Sequence, residues 1–173
     1  MASPSPLPSN TSGELWVSRF RVFFERPVSI QALRILHTGS CVELIIRTEE
    51  GVREGFVFFL ENGSAKLVNH QPTDWRSQAT LTLSPALAER ILLHPSEDLA
   101  DFALIALEAF FGTPRELQVQ LHAGMIELWR RGWVRLVLHG GARVTTFLAS
   151  HGFHGIGGIQ RAIQALKSEK RSP

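Results

Sequence analysis

Few residues in this sequence have types and spacing suited to chemistry. His139-Gly140-Gly141 can aim backbone N–H groups at an oxyanion, as acyl transfer requires, but no Gly-x-Ser-x-Gly turn supplies a nucleophile. Read locally, it is a turn that ends an element. Cys41, with His37 four residues away, has the makings of a thiolate–imidazole pair. It also opens an apolar run, where a free cysteine behaves as a small buried hydrophobe. His151 and His154 could hold a metal with His139 or His122 as a third ligand, yet no His-x-x-x-His spacing is present. A polar loop is the default there. The stretch Gly152 to Gly158 precedes a helical pattern and offers amides to a phosphate or carboxylate. A nucleotide fingerprint needs a strand before it, and the preceding element reads as a helix. Glu49-Glu50 falls in a turn, and Glu97-Asp98 suits a helix start. No catalytic residue, metal ligand or cofactor is assigned on these grounds.

The tryptophans are a second outlier. Trp129-Arg130-Arg131-Gly132-Trp133 joins aromatics to cations, a composition found at interfaces. It also suits brief contact with anionic lipid headgroups. The simpler expectation is packed indoles with a solvated arginine pair.

The elements that would position such residues can be read in order. Residues 1–13 are rich in Ser, Pro and Asn and are expected to be a disordered tail, as are residues 169–173. Residues 14–168 are expected to form one domain. Leu15, Val17, Phe20, Val22, Phe23 and Phe24 suit either a helix or a strand. Pro27 ends that run, and Ser29 caps a short helix through Ile30, Leu33, Ile35 and Leu36. Val42–Ile46 and Gly55–Leu60 read as strands. Asn62-Gly63 between apolar runs signals a hairpin, and Ala65–Val68 returns. Ala79, Leu81 and Leu83 alternate with polar residues, as in a half-buried strand. These four segments are expected to form an antiparallel meander. Ser84-Pro85 opens a helix, and Ser96-Glu97-Asp98 caps another over Leu99–Phe111. Leu117, Val119 and Leu121 alternate as a strand. Met125–Arg131 is ambiguous. Val134, Leu136 and Leu138 are expected to form a last strand, and Val144–Ser150 a helix. Ile159, Ile163 and Leu166 suggest a short C-terminal helix. The fold class expected is α+β, with an antiparallel meander sheet of about five strands covered by helices on one face.

Composition narrows the function classes. Apolar residues are 44% of 173, enough for a full core. No run reaches the roughly 18 apolar residues of a membrane span. The single cysteine excludes an internal disulfide and a multi-cysteine zinc site. With no signal-like N-terminus, a cytoplasmic location is expected. A net charge of +2 with scattered cations argues against nucleic acid as a partner.

The Leu99–Phe111 segment carries only Asp101 and Glu108 as charges. A helix apolar on nearly all sides is buried or lines something apolar. From Val42 to Phe111 the order is apolar strand, Asn-Gly hairpin, return strand, Asp74, then a Thr-rich strand (Thr80, Thr82) running into Pro85–Leu93. That order resembles the sterol carrier protein type-2 family. The family's later Gly-Asp is missing here, and the two ends of the chain match poorly. The resemblance implies helices packed over a sheet, enclosing an apolar tunnel for sterols or acyl chains.

The leading expectation is therefore a non-catalytic carrier of an apolar ligand, a lipid, acyl chain or sterol-like molecule. Its pocket is expected to be lined by Leu44, Ile46, Phe56, Phe58, Leu81, Leu83, Leu87, Ile91, Phe102, Ile105, Ala106 and Phe110. The same residues could instead form a solid core. An interaction or homodimeric assembly domain is the second expectation, and a small enzyme using a histidine beside an apolar pocket is the third.

Overall fold

In the computed structural model, which describes residues 11–47, 51, 53–69, 73–155, 157 and 158, the chain opens with two helices. The first, α1 (Thr11–Phe24), resolves the ambiguous run. Phe20, Phe23 and Phe24 fall at i, i+3 and i+4 and share one helical face. The helix includes residues 11–13, which composition alone places in the tail. Pro27 begins α2 (Pro27–Ile35) at its first position, where a missing N–H costs nothing. Ser29 is not its cap; the Ser29 hydroxyl donates to the Phe23 carbonyl at 2.7 Å.

Next come β1 (Cys41–Arg47), β2 (Arg53–Glu61) and β3 (Ser64–Val68). The β2–β3 turn is the expected Asn-Gly, with φ of 49° at Asn62 and 77° at Gly63. A two-residue hairpin of this kind needs positive φ at both positions. β4 (Ala79–Leu83), α3 (Pro85–Leu93), α4 (Leu99–Phe111) and β5 (Leu117–Leu121) follow. Ser84 caps α3 through the Leu87 N–H, and Asp98 caps α4 through the Ala100 N–H. The described chain then runs through α5 (Met125–Arg130), α6 (Trp133–His139) and α7 (Gly141–Ser150). The helix expected over Ile159–Leu166 lies outside the described residues.

Five strands form one sheet in the order β3-β2-β1-β4-β5. It is not an antiparallel meander. β4 pairs parallel with β1, in register from Val42–Ala79 to Ile46–Leu83, and the other pairs are antiparallel. The chain leaves the β3 edge and returns on the far side of β1. Trp75 on that connection packs against Phe59, Cys41 and Val57, on the sheet face away from the main core. Alternation in Ala79–Leu83 shows which side chains point inward, but it is the same for either strand direction. The direction is set by Gln78, a buried side chain. Its Oε1 accepts from the Cys41 N–H at 2.6 Å, and its own N–H donates to the Cys41 carbonyl at 2.8 Å. Its carbonyl accepts from His122 and Ala123 at the end of β5.

The second correction is α6, expected as a strand. Its apolar residues Val134, Leu136 and Leu138 do alternate. Over six residues, however, that spacing competes with local hydrogen bonding such as the Leu136 N–H to the Gly132 carbonyl at 2.9 Å. Gly132, at φ 90°, makes the corner between α5 and α6. A Cβ there would lie 2.4 Å from the Ile35 carbonyl, so the corner presses directly on the end of α2.

The helices lie over the sheet face that carries Val42, Leu44 and Ile46, Phe56, Phe58 and Leu60, and Leu81 and Leu83. Among the described residues, the buried apolar cluster on the opposite face is small, Cys41, Val57 and Phe59 with Val68 and Trp75 against it, and beside it the Thr80 hydroxyl donates to the Glu43 carboxylate at 2.7 Å and lies 2.8 Å from His122 Nε2.

Candidate functional site

The helical layer leaves an apolar cavity of about 220 Å³ above β1, β2 and β4. The end of α1 supplies Phe23 and Phe24, and α2 supplies Val28, Ser29, Ala32 and Leu33. The sheet supplies Val42, Leu44, Phe58 and Leu81 as the floor. Leu99 and Phe102 come from the first turns of α4, and Trp133 and Leu136 from α6, with Leu36 after α2. Only Ser29 and Trp133 bring side-chain polar groups, and both are engaged elsewhere. The Ser29 hydroxyl is held by the Phe23 carbonyl, and the Trp133 indole N–H donates to Gln78 Oε1 at 3.3 Å. The space therefore presents only hydrocarbon, and water finds no partners in such a site.

Large rings hold the walls apart. Phe23 meets Phe102 edge-on at 5.5 Å and 66°. Phe24 stacks on Phe58 at 4.9 Å, and Phe58 meets Trp133 edge-on at 6.5 Å. The corner between α1 and α2 is fastened by Arg26. Its guanidinium donates to the Ser96 carbonyl at 3.0 Å, pairs with Glu97 at 3.4 Å and lies over the Phe23 and Phe102 rings at 5.8 and 5.5 Å. Cation–ring contacts of this kind add directional holding to plain packing.

Of the twelve residues expected to line a pocket, Leu44, Phe58, Leu81 and Phe102 border this cavity. Ile46, Phe56, Leu83, Leu87 and Ile105 are buried in solid core, with Ile91, Ala106 and Phe110 packed against it. The space thus lies beside the first turns of α4 and not along its length. Sequence reasoning missed the α1–α2 wall and the α6 wall. The Phe20, Phe23, Phe24 spacing was a legible helical signal for the first. The second was hidden by reading 134–138 as a strand.

The other chemical candidates disperse. Burial pushes the Cys41 thiol up to about 11, aided by nearby Glu43, so almost no thiolate forms at neutral pH. His151 is stacked between Phe111 and Phe147, at 4.5 Å from each ring. Among the described residues no three His, Cys, Asp or Glu side chains gather as a metal site would require. In the Trp-Arg-Arg-Gly-Trp run, Trp133 turns inward, and Glu127 pairs with both Arg130 and Arg131. These pairs hold the Glu127 carboxyl below its usual range, chiefly through the hydrogen bond from Arg131. No described helix is long and apolar enough to cross a membrane.

No family model matches the chain, and no curated protein matches it. Among solved structures it is similar to a ubiquinone synthesis protein described as UbiJ-SCP2, with 13% identity and a TM-score of 0.40. That match covers 74% of this chain and 97% of the other. It is also similar to a conserved hypothetical protein from Thermus thermophilus, described as a candidate sterol carrier protein, with 13% identity and a TM-score of 0.35. Here the coverage is 84% of this chain and 92% of the other.

Proposed function

We propose that this protein binds, and hands on, the apolar part of a lipid or acyl chain in the cavity between α1, α2, α4, α6 and the sheet. The observation that carries the reading is a space of about 220 Å³ walled entirely by apolar surface. Dry cavities of about 150 Å³ already take up small apolar guests. A whole drug-sized ligand needs roughly 300–1,000 Å³. The volume therefore suits one stretch of a hydrocarbon chain. Each methylene moved out of water contributes about 0.8 kcal/mol, so six contribute on the order of 5 kcal/mol. No side chain at the cavity is placed to transfer a proton or attack a carbonyl, and the reading is non-catalytic.

Native mass spectrometry of the purified chain tests this, together with solvent extraction and exposure to free fatty acids. A bound lipid, or uptake of one acyl chain per protein, is the expected result. An empty chain that takes up neither a fatty acid nor a sterol would end the proposal. Ile126, 85% exposed, and Trp129 on α5 support a secondary role in brief membrane contact during exchange. Vesicle co-sedimentation of I126S/W129S against the native chain reads that role directly.

A further inference from the structure

We propose that the β5 edge of the sheet is an interface, and that a second copy of this chain pairs with it antiparallel about Val119. β5 ends the sheet beyond β4. Its register with β4 is unbroken, from Ala79–Leu121 to Leu83–Leu117. Just outside that register the Ser84 N–H donates to the Glu116 carbonyl and the His122 N–H to the Gln78 carbonyl, each at 2.9 Å. Hydrogen bonding alternates along an antiparallel strand, so Gln118 and Gln120 also turn their peptide groups toward β4. Leu117, Val119 and Leu121 therefore turn theirs to the open edge. Among the described residues, none hydrogen-bonds to those outward groups.

An edge strand is ordinarily built to refuse further pairing. The other edge, β3, follows that rule, with the exposed Lys66 at its centre. β5 does not. It holds no charged residue, no proline and no bulge, and it is guarded only by its length of five residues. Neutrality alone would leave the partner open. The order of residues does not, because Leu-Gln-Val-Gln-Leu reads the same in both directions.

A two-fold interface sets residue i against j and j against i. Centred on Val119, it sets Val119 against itself, Leu117 against the partner's Leu121 and Gln118 against the partner's Gln120. Every pair is then like with like. Three outward N–H groups of each copy meet three outward carbonyls of the other, six hydrogen bonds in all. Gln118 and Gln120, both exposed, fall in the pairs whose side chains approach most closely, and their amides both donate and accept across the seam. Val119 and Leu121 are half-buried on the core side, and the partner's copies of them extend that apolar cover. The product is one sheet of ten strands, five from each copy, with both helical layers on the same face. No β5 residue borders the cavity, so this inference stands apart from the ligand reading.

Sedimentation velocity of the full chain over a range of concentrations tests the pairing, alongside Val119→Pro, Q118K/Q120K and Q118K/Q120E. The native chain is expected to pass from monomer to dimer as concentration rises. Val119→Pro removes the central N–H, which β4 does not use, and an edge strand tolerates proline with its nitrogen turned outward. Losing that bond from each copy should raise the dimer dissociation constant roughly tenfold or more. The two charge variants alter the same exposed residues, and only the register tells them apart. Q118K/Q120K sets lysine against lysine twice, whereas Q118K/Q120E sets lysine against glutamate twice. The first should dimerise roughly tenfold more weakly than the second. Circular dichroism establishes that each variant is folded, and if Val119→Pro fails to fold the charge variants decide alone. A native chain that stays monomeric at every concentration overturns the proposal. A dimer left unweakened by folded Val119→Pro or by Q118K/Q120K uses another face, and overturns it too. Equal weakening by the two charge variants overturns the pairing about Val119.

Discussion

The two ends of the helical layer cover one sheet in different ways. Toward Phe56, Leu83 and Leu87 the layer is solid, and those side chains are at most 4% exposed. Small residues make this closeness feasible: Ala88 and Ala109, both buried, let α3 and α4 settle close against their neighbours. Toward Phe58 and Leu81 the same layer stands off. Phe23 meets Phe102 edge-on there, Trp133 meets Phe58 edge-on and Phe24 stacks on Phe58, and about 220 Å³ is left between them. Apolar composition is alike at both ends. Residue shape, and not hydrophobicity, separates a core from a cavity.

The largest expected effect comes from breaking the solid end. Phe56→Ala removes a ring that is 1% exposed and contacts Phe20 at 5.1 Å. Urea unfolding should show a loss of about 3–5 kcal/mol. A loss below about 1 kcal/mol would mean that this end also has slack. Gln78→Leu comes next. It strands the Cys41 N–H and frees the Trp133 indole, and it should cost roughly 1–3 kcal/mol. Because Gln78 orders the start of β4, hydrogen exchange should quicken across the β1–β4 pair before it does so in the β2–β3 hairpin.

Ala32→Leu sharpens the comparison from the open side. Ala32 borders the cavity, and added methyl groups fill existing space. Stability should change by less than about 1.5 kcal/mol while acyl-chain uptake falls sharply. A penalty as large as that of Phe56→Ala would show that the cavity end is already close-packed. The smallest effect concerns pH. The Arg19 hydrogen bond lowers Glu89, those from Ser96 and Arg143 lower Asp101, and that from Arg131 lowers Glu127. A carboxylate whose folded value is depressed stabilises above its ordinary pKa and loses that contribution as pH falls toward the folded value. Stability should hold at neutral pH and decline below about 4.5, the ordinary value of Glu89 and Glu127. These groups are only half-buried and reached by solvent, so E89Q should blunt the decline only slightly.

Local signals were legible wherever one short stretch contains its own cause. Asn62-Gly63 turns because both residues accept positive φ. Ser84 and Asp98 start helices because their side-chain oxygens meet N–H groups two or three residues on. The α1 aromatics and the α6 run were harder, since a few apolar residues fit two periods at once. Gln78 was silent in the sequence, where it is one polar residue before a strand. Its role exists only once β1, β4, β5 and α6 meet around it. The pocket followed the same rule: Leu44, Phe58, Leu81 and Phe102 are legible as inward-facing apolar residues, but so are eight others that pack solidly.

The sequence by itself determined the five strands, the helices α2, α3, α4 and α7 and the apolar character of the layer above the sheet, because caps, turns and side-chain periodicity act over a few residues. Tertiary structure alone decided that β4 runs parallel to β1, that Trp133 points inward, and that space survives at one end of the layer. Those outcomes depend on how side chains far apart in sequence fit one another in shape, and hydropathy does not encode fit.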